Sequence, residues 1–171
     1  MRKISIKFRP LTEADLVYIP AIYNLINTEA ESGNLLARTK REITEDILNG
    51  CSVGAFVGKE IVGYHCLHFW GGLVELRSLV VSEAYRGHKI ATSLVATILD
   101  LAAKLFPDKP VFAIVRPASK DIFKSLGVNF IEKSELSDKI TQDCQKCRDY
   151  HLFPRCSCIV MMVKNGQNKN H

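Results

Sequence analysis

The chain has no apolar run long enough to cross a membrane as a helix, which argues against an integral helical membrane protein. Its first residues, Met1-Arg2-Lys3, are charged but have no apolar stretch behind them, so no signal peptide is expected. Basic residues are scattered and never form a run, so nucleic acid is not an expected partner. Internal repeats and interdomain linkers are also missing. With 47% hydrophobic and 24% charged residues, the composition is that of a globular chain rather than a disordered one. Its 171 residues suit one domain with a real core, expected over residues 1–164, followed by a frayed polar tail over 165–171. The net charge of +5 weakly favours anionic ligands. The default compartment is the cytoplasm, where the six cysteines stay reduced.

Periodicity supplies the elements. Ile4, Ile6 and Phe8 alternate with polar residues as a first strand. Thr12-Glu13-Ala14-Asp15 opens a helix, which Pro20 is expected to kink or split. Thr39-Lys40-Arg41-Glu42 has the form of a capping box and starts a second helix to about Leu48. Residues 52–57 and 61–69 flank the turn Gly58-Lys59-Glu60 as a hairpin, and 73–81 adds a third strand. An amphipathic helix over 90–105 follows. Strand 111–115, a helix over 119–126 stopped by Gly127, strand 128–131, a helix over 134–147 and a last strand over 156–163 complete the chain. The order predicts a mixed α/β domain.

The most informative stretch is Arg86-Gly87-His88-Lys89-Ile90-Ala91, between the strand over 73–81 and the helix from Ile90. The first turn of a helix presents unpaired backbone N–H groups and the positive end of the helix dipole. That makes an anion site suited to phosphate, and Arg86 and Lys89 add charge there.

With those residues at its centre, the chain resembles the GNAT superfamily of N-acetyltransferases. The acetyl-CoA motif of that family runs Arg/Gln-x-x-Gly-x-Gly/Ala. Arg86 and Ala91 fit it, and Lys89 stands where glycine is usual. The resemblance implies a mostly antiparallel mixed sheet flanked by helices, and acetyl-CoA as co-substrate. It places the coenzyme against Leu79, Val80 and Val81 and the turn Arg86, Gly87, His88, Lys89, Ile90, Ala91 and Thr92. Lys89 is expected to project outward from the helix start. The segments Gly33-Asn34-Leu35-Leu36-Ala37-Arg38, Glu75-Leu76-Arg77-Ser78-Leu79 and Ile122-Phe123-Lys124-Ser125-Leu126-Gly127 are similar to the acetyltransferase domain of bacterial N-acetylglutamate synthases. The similarity covers roughly residues 4–163 and implies the short form, without a preceding kinase-like domain.

By that resemblance, Glu75 is the base that deprotonates the incoming amine, and Ser119 is the acid that protonates the leaving thiolate. Arg38 and Arg155 would hold the carboxylates of the acceptor, with Leu36, Ser78 and Ser157 beside them. The implied reaction is acetyl transfer to the α-amino group of a small amino acid, glutamate first, in arginine biosynthesis. The chemistry is consistent: an α-amine is protonated at pH 7 and needs a nearby carboxylate to become a nucleophile. Alternation puts Glu75, Arg77 and Leu79 on one strand face and Val74, Leu76, Ser78 and Val80 on the other, so Glu75 and Arg77 could equally be a satisfied pair. Ser119 could equally be a helix cap, and Arg38 part of a solvated cluster with Lys40 and Arg41. Phe123 falls where many family members carry a tyrosine acid, and it cannot donate a proton. His65 and His68 face opposite sides and do not form a metal pair.

Cys144, Cys147, Cys156 and Cys158 lie within fifteen residues. Cys-x2-Cys is a metal-ligand spacing, with Cys156 and Cys158 on one strand face. Packed reduced thiols, a structural zinc site and a disulfide are the alternatives. Other rivals are a non-catalytic coenzyme-binding module and acetylation of another amine or a protein N-terminus. The sequence leaves a homodimer open.

Overall fold

A computed structural model describes residues 4–132, 137–153 and 156–163. Arg155, the predicted helix start at 134–136 and the 165–171 tail lie outside them. One seven-stranded sheet runs in the order β1-β2-β3-β4-β5-β7-β6. Its strands are β1 (Ile6–Pro10), β2 (Ser52–Val57), β3 (Glu60–Trp70), β4 (Leu73–Val81), β5 (Val111–Val115), β6 (Asn129–Phe130) and β7 (Ile159–Val163). All neighbours are antiparallel except β4 and β5, which are parallel.

Among the described residues five α-helices accompany the sheet: α1 (Ile19–Glu31), α2 (Lys40–Leu48), α3 (Ile90–Leu105), α4 (Lys120–Ser125) and α5 (Ser137–Cys144). Pro20 splits the first helical stretch as expected, with a 3-10 turn over Glu13–Tyr18 before it and α1 after it. Proline is tolerated there because a first-turn N–H has no intrahelical partner in any case. The Thr39/Glu42 capping box forms: the Thr39 hydroxyl accepts from Glu42 N at 3.2 Å, and Glu42 accepts from Thr39 N at 2.7 Å. Among the described residues no helix is long and apolar enough to cross a membrane.

The core has two main layers. On one sheet face α3 packs Ile90, Leu94, Val95 and Ile98 against Val53, Val62, Val74 and Leu76. Gly63 allows this approach, because a Cβ there would stand 2.9 Å from Leu94 Cδ1. On the other face α1 and α2 pack Ile22, Ile26, Ile43 and Ile47 against Phe56, Ile61, Tyr64, Cys66 and Val80.

Strict alternation on β4 fails at one point. Tyr64 pairs with Val80 and Cys66 with Arg77, so Ser78 and Leu79 together oppose His65. This bulge has Ser78 at φ +58°, in the left-handed region. The extra residue reverses the alternation: Leu79 packs with the α3 cluster that holds Val74 and Leu76, and Val80 joins the opposite one. The predicted grouping of Leu79 with Glu75 and Arg77, and of Val80 with Val74 and Leu76, is corrected accordingly. Several elements also start later or are shorter than expected, among them the helix expected over 134–147, which ends at Cys144, and the one expected over 119–126, which spans Lys120–Ser125. The first strand begins at Ile6, the sixth is reduced to Asn129–Phe130, and the last begins at Ile159 rather than 156.

Candidate active site

β4 and β5 part company early. Among the described residues their pairing ends at Leu76–Ala113, although β4 continues to Val81 and β5 to Val115. The gap is a cleft of about 420 Å³. Its walls carry Leu79, Val80 and Val81 from β4, Ile114 and Val115 from β5, and Ser119 and Phe123 near α4. Arg86 and Ala91 stand at one end, against the start of α3. The β5-facing edge of β4 beyond Leu76 therefore borders a space rather than a strand, as an oxyanion or amide-binding surface requires, while its other edge stays paired with β3.

The α3 start has the geometry of an anion site. Gly87 and Lys89 both have positive φ, +82° and +59°. Ser93 N is the amide that closes the first α3 turn, on Lys89 O at 3.1 Å, which leaves the amides of Ile90, Ala91 and Thr92 without intrahelical partners. Ile90 is buried and anchors the turn, whereas His88 and Lys89 are exposed. His88 Nδ1 lies 3.1 Å from Arg86 O and 3.2 Å from Tyr85 O, bracing the loop. The glycine-to-lysine departure is thus a matter of backbone shape: Lys89 adopts the left-handed conformation and its side chain points out. A β-branched residue is far worse there. Lys89→Val is expected to cost roughly 1–3 kcal/mol of stability in urea unfolding, and Lys89→Gly less than about 1 kcal/mol either way.

Arg86 is not idle beside this turn. It pairs with Glu29 of α1, whose second oxygen accepts from Asn34 Nδ2 at 2.8 Å. Ser119 precedes α4, but its hydroxyl makes no capping bond and the residue lines the cleft. Ser119 thus holds the cap position of α4 without using its hydroxyl to cap it.

A second, smaller cavity of about 120 Å³ lies alongside and shares Asn34, Leu35, Ile114 and Arg116 with the cleft. Glu75 lines it with Leu36, Asp143, Cys144, Cys147 and Cys158. Glu75 is only 5% exposed, and its carboxylate lies 3.5 Å from Arg77 Nε. Arg77 in turn reaches Asp143 at 3.7 Å. Glu75 and Leu36 are thus brought together in the small cavity that adjoins the cleft.

Other predicted acceptor residues are placed differently. Arg38 is buried and committed to protein partners: Nη2 donates to Asp46 at 2.8 Å, and Nη1 donates to Ser78 Oγ at 3.2 Å. It lines neither the cleft nor the small cavity. Burial pulls its guanidinium down, but Cys66 and Asp46 beside it outweigh this and hold it well above the ordinary range, so it stays charged. Ser78 serves the bulge and Arg38 rather than a cavity wall. Ser157 lies 3.5 Å from Arg116 Nη1, at the exposed rim.

Arg116, which sequence reasoning missed, stands in the shared wall of both spaces. It donates to Asp149 at 2.8 Å and to Gly33 O. Gly33 has φ +76°, and a Cβ there would meet Arg148 Cδ at 2.7 Å, so glycine is required for the loop to seat between two arginines. The only local signal for Arg116 was its position directly after the predicted strand over 111–115.

No disulfide joins any of the six cysteines. Among the described residues no group of three or more His, Cys, Asp or Glu side chains is arranged to hold a metal ion. The structure therefore does not assemble the zinc site that the spacing allows. Cys156 and Cys158 lie ahead of β7 rather than on one strand face, and Cys144 and Cys147 close a tight turn, Cys147 N donating to Cys144 O at 2.9 Å. Burial, with neighbouring thiols adding to it, pushes the Cys144 thiol up to about 11, so it is protonated at neutral pH.

A mixed sheet split between its parallel strands, with a helix start at one end of the split and an acid beside it, defines an acyl-transferring α/β domain. The profile of the acetyltransferase (GNAT) family matches residues 19–127, and the chain belongs to that family. Solved structures agree in fold. Rv2747 from Mycobacterium tuberculosis, in complex with CoA, is 22% identical with a TM-score of 0.71, over 92% of this chain and 98% of that one. The N-acetylglutamate synthase of Neisseria gonorrhoeae, complexed with coenzyme A and N-acetyl-glutamate, is 20% identical with a TM-score of 0.71. That match covers 96% of this chain and 36% of the synthase. Diaminobutyrate acetyltransferase from Paenibacillus lautus, with its substrate and coenzyme A, is 13% identical with a TM-score of 0.65, over 99% and 100% of the two chains.

Proposed function

We propose that this acetyltransferase moves the acetyl group of acetyl-CoA to the α-amino group of a small amino acid, glutamate first among acceptors. The observation that carries the reading is the pair of adjoining spaces with one shared wall, the larger ending on a helix start and the smaller holding Glu75. The α3 amides and Arg86 would take the diphosphate, and the β4 edge and apolar walls the arm. CoA-bound relatives of the same fold support this. The acceptor would sit in the small cavity, whose size favours a free amino acid over a bulky amine. Its carboxylates would meet Arg116, with Arg155 as a further cation by the resemblance to the synthases. Arg38 would act indirectly, by holding the bulge.

Glu75 would draw a proton from the ammonium group, directly or through water. The neutral amine then attacks the thioester carbonyl in a ternary complex, and the C–S bond breaks. Ser119 would hand the thiolate a proton, although a thiolate leaves readily without one. The synthase-like acceptor and a role in arginine biosynthesis rest on the likeness to the Neisseria enzyme.

A thiol-release assay with acetyl-CoA over a panel of glutamate, glutamine, aspartate, diaminobutyrate and an N-terminal peptide tests it. Glutamate is expected to give the highest kcat/KM. Release on the peptide alone would replace the acceptor class. Coenzyme binding in calorimetry without release on any amine would indicate a binding module.

A further inference from the structure

One buried polar group in the cleft has no task in that reaction. His65, midway along β3, is 1% exposed and is one of the residues that line the cleft. Its Nδ1 lies 2.7 Å from Arg77 O. A carbonyl oxygen only accepts, so Nδ1 carries the hydrogen and Nε2 is left with a bare lone pair. Nε2 is buried and has no hydrogen-bond partner. Around it the cleft is apolar: Phe123 stands edge-on with ring centroids 6.3 Å apart, and Leu76 and Leu79 line the same wall. Burial holds the imidazolium down to about 4, so the ring is neutral at physiological pH and its tautomer is fixed.

A buried acceptor without a donor is costly, and an apolar residue would pack there more favourably. The same bulge that opens β4 sets this ring opposite Ser78 and Leu79, where no ladder neighbour stands in register. Carboxylates and phosphates are excluded as partners, because the ring can only accept at this edge. The ligand group must be a donor, the apolar surroundings favour a neutral one, and the acyl-carrying arm of a pantetheine coenzyme has amide N–H groups.

We infer that His65 Nε2 is a binding group for the coenzyme, accepting a hydrogen bond from an amide N–H of the pantetheine arm. This deepens the coenzyme reading of the cleft and rests on it. His65 is thereby a positioning residue rather than an acid or base, and it sets the depth to which the thioester enters.

Nitrogen-15 NMR of the histidine side chains is the direct test, with acetyl-CoA as the probe and adenosine 3′,5′-bisphosphate, which lacks the arm, as control. The Nε2 resonance of His65 is expected to begin at the position of an unbonded lone pair. It should shift upfield with acetyl-CoA and stay in place with the bisphosphate. In parallel, His65→Leu is expected to raise KM for acetyl-CoA roughly tenfold with kcat within about threefold, and His65→Gln, which keeps an acceptor, to recover most of the loss. Calorimetry separates the two levels of the argument. If acetyl-CoA does not bind, the reading of the cleft itself fails. If it binds while the resonance is unmoved, or was already that of a bonded nitrogen in the free protein, the role of His65 is overturned. The wild-type spectrum decides this even if the variants do not fold.

Discussion

Glu75→Gln is expected to lower kcat by roughly 100- to 10 000-fold while leaving the Kd for acetyl-CoA within about threefold of wild type. Glutamine matches the shape of glutamate but cannot take a proton from an ammonium group. The substitution touches only the small cavity, since Glu75 lines that space and not the coenzyme cleft. Arg77 at 3.5 Å and Asp143 beyond it would keep the β4 face ordered in the variant. Because the loss is one of proton removal, raising the pH toward the pKa of the acceptor amine should recover part of it. Pre-steady-state thiol release combined with calorimetric titration measures both quantities. Equal loss of binding and turnover would mean that Glu75 is a structural partner of Arg77 and not the base.

Asp46→Ala is expected to cost about 3–5 kcal/mol of unfolding free energy, the largest stability effect of any single substitution considered. Asp46 Oδ2 accepts from Arg38 Nη2 at 2.8 Å and from the Tyr64 hydroxyl at 3.1 Å. Burial holds its carboxyl above the ordinary range while Arg38 pulls the other way. The Arg38 side chain is only 5% exposed, so loss of Asp46 leaves a buried cation whose nearest carboxylate is Glu42, 3.7 Å from Nε. The double variant Arg38→Leu/Asp46→Leu should be markedly more stable than the single alanine, because it removes both charges together. Urea midpoints at constant m value report these differences. A cost below about 1 kcal/mol for Asp46→Ala would contradict a buried pair and return Arg38 to the pool of acceptor-binding residues. Arg38 also donates to Ser78 at the bulge, so the same variant should loosen the β4 edge on which the cleft depends.

The strands and helices around the cleft were legible because their signals are local. Leu73–Val81 and Ile90–Leu105 lie where apolar periodicity put them, and Thr39 and Glu42 form the capping box their spacing announces. The anion-binding turn was equally plain, since its chemistry resides in consecutive residues. What escaped was set by pairing across the sheet. The bulge at Ser78 depends on the register of β3 against β4, which no period within β4 reveals, and it moved Leu79 and Val80 to the opposite faces. The commitment of Arg38 depends on Asp46, eight residues on, and on Ser78, forty residues on, folding against it. Arg116 became a site residue only because the Gly33 loop and Asp149 close over the end of β5. The cysteine spacing suggested a metal, but the chain turns between Cys144 and Cys147 and runs irregularly past Cys158 into β7.

The most direct measurement is a crystal structure of this protein with coenzyme A bound. The diphosphate should lie against the amides of Ile90, Ala91 and Thr92, with the arm between β4 and β5 and its thiol toward the wall shared with the Glu75 cavity. Coenzyme found outside that split, or absent from crystals soaked at saturating concentration, would contradict the account.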